Sequence, residues 1–112
     1  MRRTIVYFTP VMIRHVLLLK PRPETTPDAI EGCRKAITGL VGQVPGLLDC
    51  HWGENFASVE RTDGCSHGFS MDFADRASLD AYGPHPAHLP AAKLVRAAFE
   101  KIVVFDFELT AG

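Results

Sequence analysis

The 112-residue chain lacks several features that would make a function easy to assign. No stretch approaches the roughly 20 consecutive apolar residues that span a bilayer, so no membrane partner is expected. Its three cysteines, Cys33, Cys50 and Cys65, are odd in number and form no CxxC pair, so neither a disulfide framework nor a zinc site is predicted, and the expected metal content is none. Charge of one sign is missing too: 12 Lys and Arg face 13 Asp and Glu, and the two signs are interspersed. Without a basic stripe the chain is not expected to bind nucleic acid. The opening Thr4–Phe8 stretch resembles the start of a secretory signal, but Pro10 breaks it, Arg14 and His15 follow, and no small-residue cleavage site appears, so the chain reads as cytoplasmic.

What is present is the balance of a globular domain, with 46% hydrophobic and 22% charged residues, in a length that holds one core. Residues 12–20 are β-branched and aliphatic between Pro10 and Pro21, and read as a strand. Thr26 is a good N-cap, with Pro27 at the first helical position. Ile30, Cys33, Ile37, Leu40 and Val41 then recur at helical spacing to about residue 42. Pro45-Gly46 turns the chain into a second strand over 47–54. A polar connection leads to a third strand over 66–73, and Asp75 caps a short helix to about Tyr82. Gly83-Pro84 breaks that helix, another runs from His85 to about Phe99, and a last strand covers 102–109. The order is β-α-β-β-α-β, an α+β, ferredoxin-like protomer. Residues 1–11 fall outside it as an N-terminal extension, and residues 110–112 form a C-terminal tail.

Strand parity carries the reading further, because alternate residues share a face. His15, Leu17 and Leu19 share one face of the first strand, and Val16 and Leu18 the other. In the last strand Ile102, Val104 and Asp106 oppose Val103, Phe105, Phe107 and Leu109. Two helices cover one face of a four-stranded sheet, yet both faces are apolar, and monomers rarely tolerate a large exposed apolar patch. A homodimer through the sheet face, a dimeric α+β barrel, is therefore expected.

The polar exceptions on the inner face are the candidate functional residues. His15, His67 and Asp106 stand among apolar neighbours, while Tyr82 and His88 lie where the chain leaves one helix and enters the next. A carboxylate beside a neutral imidazole fixes its tautomer and leaves the other nitrogen as a base. A phenol nearby donates to a developing oxyanion. The competing structural reading is plain: a single histidine on an apolar face is more often a hydrogen-bonded core residue, and His85 is as readily a cap for its own turn. Cys33 reads as a small buried hydrophobe, and Trp52 as core or pocket wall.

Ile13-Arg14-His15-Val16-Leu17-Leu18-Leu19-Lys20, Pro45-Gly46, Ser66-His67-Gly68-Phe69, Tyr82-Gly83-Pro84-His85-Pro86-Ala87-His88 and Val104-Phe105-Asp106 together resemble the stress-responsive A/B barrel (Dabb) domain over residues 12–109. The resemblance implies a ferredoxin-like protomer that dimerises through its sheet. It also implies the cofactor-free aldol cyclisation of a polyketide thioester performed by a plant member, with no cofactor. On that likeness His88 is the general base, Tyr82 polarises a carbonyl, and Asp106 supports His88. A small-molecule ligand is expected against His15, Leu17, Leu19, His67, Phe69, Leu89, Ile102 and Val104. Two alternatives stay open: a non-catalytic, stress-associated ligand-binding protein, and a cofactor-free monooxygenase of the same barrel architecture.

Overall fold

A computed structural model describes residues 11–110 of the protein. Most of the extension assigned to residues 1–11, and the end of the tail at 110–112, lie outside the described residues. Four strands, β1 (Ile13–Pro21), β2 (Leu47–Glu54), β3 (His67–Phe73) and β4 (Phe99–Glu108), form one sheet in the order β2-β3-β1-β4. Every neighbouring pair is antiparallel. The helices are α1 (Pro27–Thr38), α2 (Arg76–Tyr82) and α3 (His88–Ala98), with one 3-10 turn, Val59–Arg61, in the polar connection. The ferredoxin-like order stands, with its second helical segment divided in two.

The local causes are visible. Thr26 caps α1 by accepting the Ala29 amide at 3.1 Å, and Asp75 caps α2 by accepting that of Ser78 at 2.8 Å. The sequence predicts α1 to about residue 42, but the helix stops at Thr38. Gly39 and Gly42 weaken its continuation, and Gly42 turns to φ +90°, a conformation suited to glycine. Leu40 and Val44 stay buried across the turns that follow, but Val41, counted on the helix's apolar stripe, is exposed, because the helical period ends at Thr38. At the other end, Phe99 opens β4 instead of closing α3. Its backbone is extended at φ −119° and ψ 130°, while its amide still bonds the Val95 carbonyl.

Register settles which residues share a face, since directly paired residues in an antiparallel sheet point the same way. His15 pairs with Met71 and Asp106, Leu17 with Phe69 and Val104, and Leu19 with His67 and Ile102. These form the inner face, where Met71, Phe73, Leu19, Ile37, Cys33 and Phe99 are fully buried beneath the helices. The outer face carries Val16, Leu18, Val103, Phe105 and Phe107, and no helix covers it. Phe105 is 61% exposed and Leu18 42%. Gly46 joins sheet to helix: at φ +82° any Cβ would collide with Ser78 of α2, so the two approach as closely as a glycine permits. No helix among the described residues is long and apolar enough to cross a membrane.

Candidate functional site

The chain breaks between α2 and α3 where Pro84 removes an amide donor, and that break aims two side chains inward. The His85 amide bonds the Tyr82 carbonyl at 3.1 Å, and the His88 amide bonds the His85 carbonyl at 2.9 Å. His85 Nδ1 accepts the Ala87 amide at 3.0 Å, so this histidine shapes its own turn, as one of its two sequence readings held. His88 then opens α3, and its Nδ1 donates to the Gly83 carbonyl at 2.8 Å. A carbonyl only accepts, which puts the proton on Nδ1 and leaves the Nε2 lone pair unclaimed in the neutral ring.

Tyr82 and His88 are in ring contact, with centroids 4.2 Å apart. His15 approaches Tyr82 edge-on, 6.0 Å between centroids. Asp106 accepts from His15 Nδ1 at 2.5 Å, straight across the β1–β4 register. His15 is thereby fixed in the same tautomer as His88, with Nε2 facing away from its partner. Burial pushes the Tyr82 phenol well above its ordinary value, with a smaller push from Cys50, so the hydroxyl remains a proton donor at any ordinary pH. It has no hydrogen-bond partner among the described residues.

These groups share a cavity of ≈170 Å³ between α3 and the sheet. His15, Leu17, Phe69 and Ile102 come from the strands, and Tyr82 from α2. Ile37 closes it from α1, and His88, Ala92, Val95 and Arg96 line it from one stripe of α3. Larger hollows exist on the surface. One, ≈390 Å³, runs over the outer face at Val16, Gly53 and Gly68; another, ≈480 Å³, lies between α1 and β2. Neither gathers a phenol and two imidazoles.

Of the residues expected to meet a ligand, His15, Leu17, Phe69 and Ile102 line the cavity, as do Tyr82 and His88. The others are elsewhere. Leu19 is fully buried in the core. His67 lies at the far end of β3 beside Trp52, its Nδ1 engaged by the Ser66 hydroxyl at 2.8 Å and its Nε2 3.8 Å from Glu54. Leu89 turns outward at 53% exposure, and Val104 is 54% exposed because β4 is the sheet edge, where helical cover ends. Asp106 supports an imidazole, but that of His15, not His88, whose Nδ1 is held by a backbone carbonyl. The resemblance also implies a lining from the first helix at Cys33, Arg34 and Ile37, of which Ile37 alone reaches the cavity, whereas Ala92, Val95 and Arg96 are additions from the structure. For these three the signal was present in the sequence, four, seven and eight residues after His88. Among the described residues no three His, Cys, Asp or Glu side chains converge as metal ligands.

Comparison with known proteins agrees with this architecture. The family model described as the Stress Responsive A/B Barrel Domain matches residues 13–109. Olivetolic acid cyclase of Cannabis sativa is 27% identical over 95 residues, covering 85% of this chain and 94% of that protein. A stress-response A/B barrel domain-containing protein of Arabidopsis thaliana is 30% identical over 99 residues, covering 88% and 86%. A dimeric ferredoxin-like protein of unknown function from Jannaschia sp. CCS1 superposes with a TM-score of 0.78 at 31% identity, covering 88% of this chain and 99% of that one.

Proposed function

The chain belongs to the stress-responsive A/B barrel domain family, and from that premise we propose that it is a small-molecule-binding homodimer acting as a cofactor-independent cyclase or lyase on a polyketide-like or aromatic carbonyl compound. The observation that carries the reading is the Tyr82–His88 ring contact, 4.2 Å between centroids, in a cavity whose remaining wall is mostly apolar, from Leu17, Ile37, Phe69, Ala92, Val95 and Ile102. His88 Nε2 takes a proton from the carbon next to the carbonyl. The Tyr82 hydroxyl donates to the oxygen on which negative charge grows, and a low-polarity surrounding strengthens that interaction. The resulting carbanion attacks a second carbonyl of the same chain to close a ring, and the proton on His88 passes to the new alkoxide. Asp106 acts through His15, holding that ring in place beside Tyr82.

Association follows from the outer face, where Leu18, Val103, Phe105 and Phe107 stand uncovered. Burying them against a second copy removes an apolar patch that a monomer would leave in water. The Jannaschia relative is itself dimeric.

The test is incubation with linear 3,5,7-trioxo thioesters, in which a C2 carbanion adding to the C7 ketone closes a six-membered ring, with ring formation followed by mass spectrometry. His88→Ala should slow turnover by about 10²- to 10⁴-fold while the dimer stays folded. Unchanged turnover in that variant would remove His88 from the chemistry. Recovery of a tightly held, unreacted molecule would favour the non-catalytic binding reading.

A further inference from the structure

The cavity has one charged group that the proposed chemistry does not use. Arg96 lies on α3 two turns beyond His88, on the same stripe, and borders the same cavity from its exposed rim. Among the described residues its guanidinium makes no hydrogen bond and no ion pair. A cation in the last turn of a helix is favoured by the helix dipole, which explains its position along the axis but not the face it occupies. The turn carrying it is anchored: Arg22 donates to the Arg96 and Ala97 carbonyls at 3.1 Å each, and Thr25 Oγ1 to that of Ala98 at 2.6 Å. The lining of the cavity includes no carboxylate, since Asp106 sits behind His15. Size sets a second limit. At ≈170 Å³ the space is close to an apolar cavity of about 150 Å³ that admits benzene.

From these observations we infer that Arg96 is the anion-recognising residue of the cavity, and that its ligand is a single-ring-sized carbonyl compound bearing a carboxylate. The ring-sized body fills the apolar well between Leu17, Phe69 and Val95. Its carboxylate reaches the rim, where a planar guanidinium offers two parallel donors that match it. This fixes which end of the molecule enters first and presents the carbonyl to Tyr82 and His88. The inference rests on the cavity proposed above as the functional site, but it concerns recognition and not turnover.

Benzoate and its neutral counterpart benzamide are the probes, with binding read from the His88 and His15 ring signals in NMR titrations. The wild-type protein should prefer benzoate by about tenfold, the gain of a charge-assisted hydrogen bond. Arg96→Gln should bring the two probes level with no change in the circular dichroism spectrum, and His88→Ala should keep the preference. Arg96 is exposed, so the variant is expected to fold. Benzoate preference surviving in Arg96→Gln would overturn the assignment, as would failure of the wild-type cavity signals to respond to either probe. Loss of preference in Arg96→Gln together with undiminished turnover in His88→Ala would uphold the recognition site and defeat only the catalytic reading.

Discussion

The two ends of the inner sheet face carry the same kinds of residue in different surroundings. At one end His15, Tyr82 and His88 meet over a cavity, and at the other His67 lies against Trp52 and Phe99 with ring centroids 6.3 Å away in each case. His15 and His67 share a face, but His15 pairs with Met71, four residues along β3 from His67, which is about 13 Å at the usual strand rise. The difference lies in what covers each ring. The first end is roofed by α2 and α3, whose junction delivers a phenol and a second imidazole. The second end opens toward solvent at Glu54, and the His67 nitrogens already face a hydroxyl and a carboxylate. Sharing a face is therefore a weaker statement than sharing a site.

That contrast breaks or sharpens under substitution. Tyr82→Phe removes only the donor at the roofed end and should lower kcat by about 10²-fold with little change in KM, as for loss of one oxyanion donor. His67→Ala at the open end should stay within about threefold, well below the range for loss of a general base. Steady-state kinetics on one substrate compares the two. Asp106→Asn frees His15 without touching His88. The His15 ring nitrogen signals should shift in ¹⁵N NMR, while those of His88, held by the Gly83 carbonyl, should not.

A smaller effect concerns the Cys50 thiol, whose charge acts on the Tyr82 phenol. Burial, helped by Asp49, pushes Cys50 from 9.0 up to about 11. A folded value above the unfolded one means that the neutral thiol is favoured by folding. Its contribution to stability is complete below the unfolded value and falls away as pH rises from 9.0 through about 11. Across that window the denaturant midpoint should fall further with rising pH in the wild type than in Cys50→Ala. Alkylation of Cys50 near pH 8 should be slow, since the thiolate is the nucleophile. Outside the cavity, Phe105→Arg should leave the protomer fold intact and convert the dimer to monomer in light scattering, because its ring is on the uncovered outer face.

Much of this was legible in the sequence because it depends on local rules. The Thr26-Pro27 start of α1, the Asp75 cap of α2, the Gly83-Pro84 break and the alternation in β1 and β4 each act over a few residues. Tyr82, His88 and His15 could be singled out on those grounds. What was not legible needs register or cover. Asp106 pairs with His15 because β1 and β4 align those residues, a fact that parity alone leaves open. Val104 and Leu89 have the right chemistry for a pocket wall but stand at a sheet edge and on the outside of a helix. The α3 stripe of Ala92, Val95 and Arg96 was readable by spacing, yet nothing short of the packed helix ties it to the cavity.

The central claim is that the roofed end alone removes a proton from carbon. Deuterium uptake at the methyl carbon of acetophenone, a single-ring ketone that exchanges slowly by itself, tests it without requiring the true substrate. The wild-type protein should accelerate uptake, His88→Ala should lose at least about a hundredfold of that acceleration, and His67→Ala should retain it. Equal uptake in wild type and His88→Ala, or a loss in His67→Ala as large as that in His88→Ala, would contradict the account.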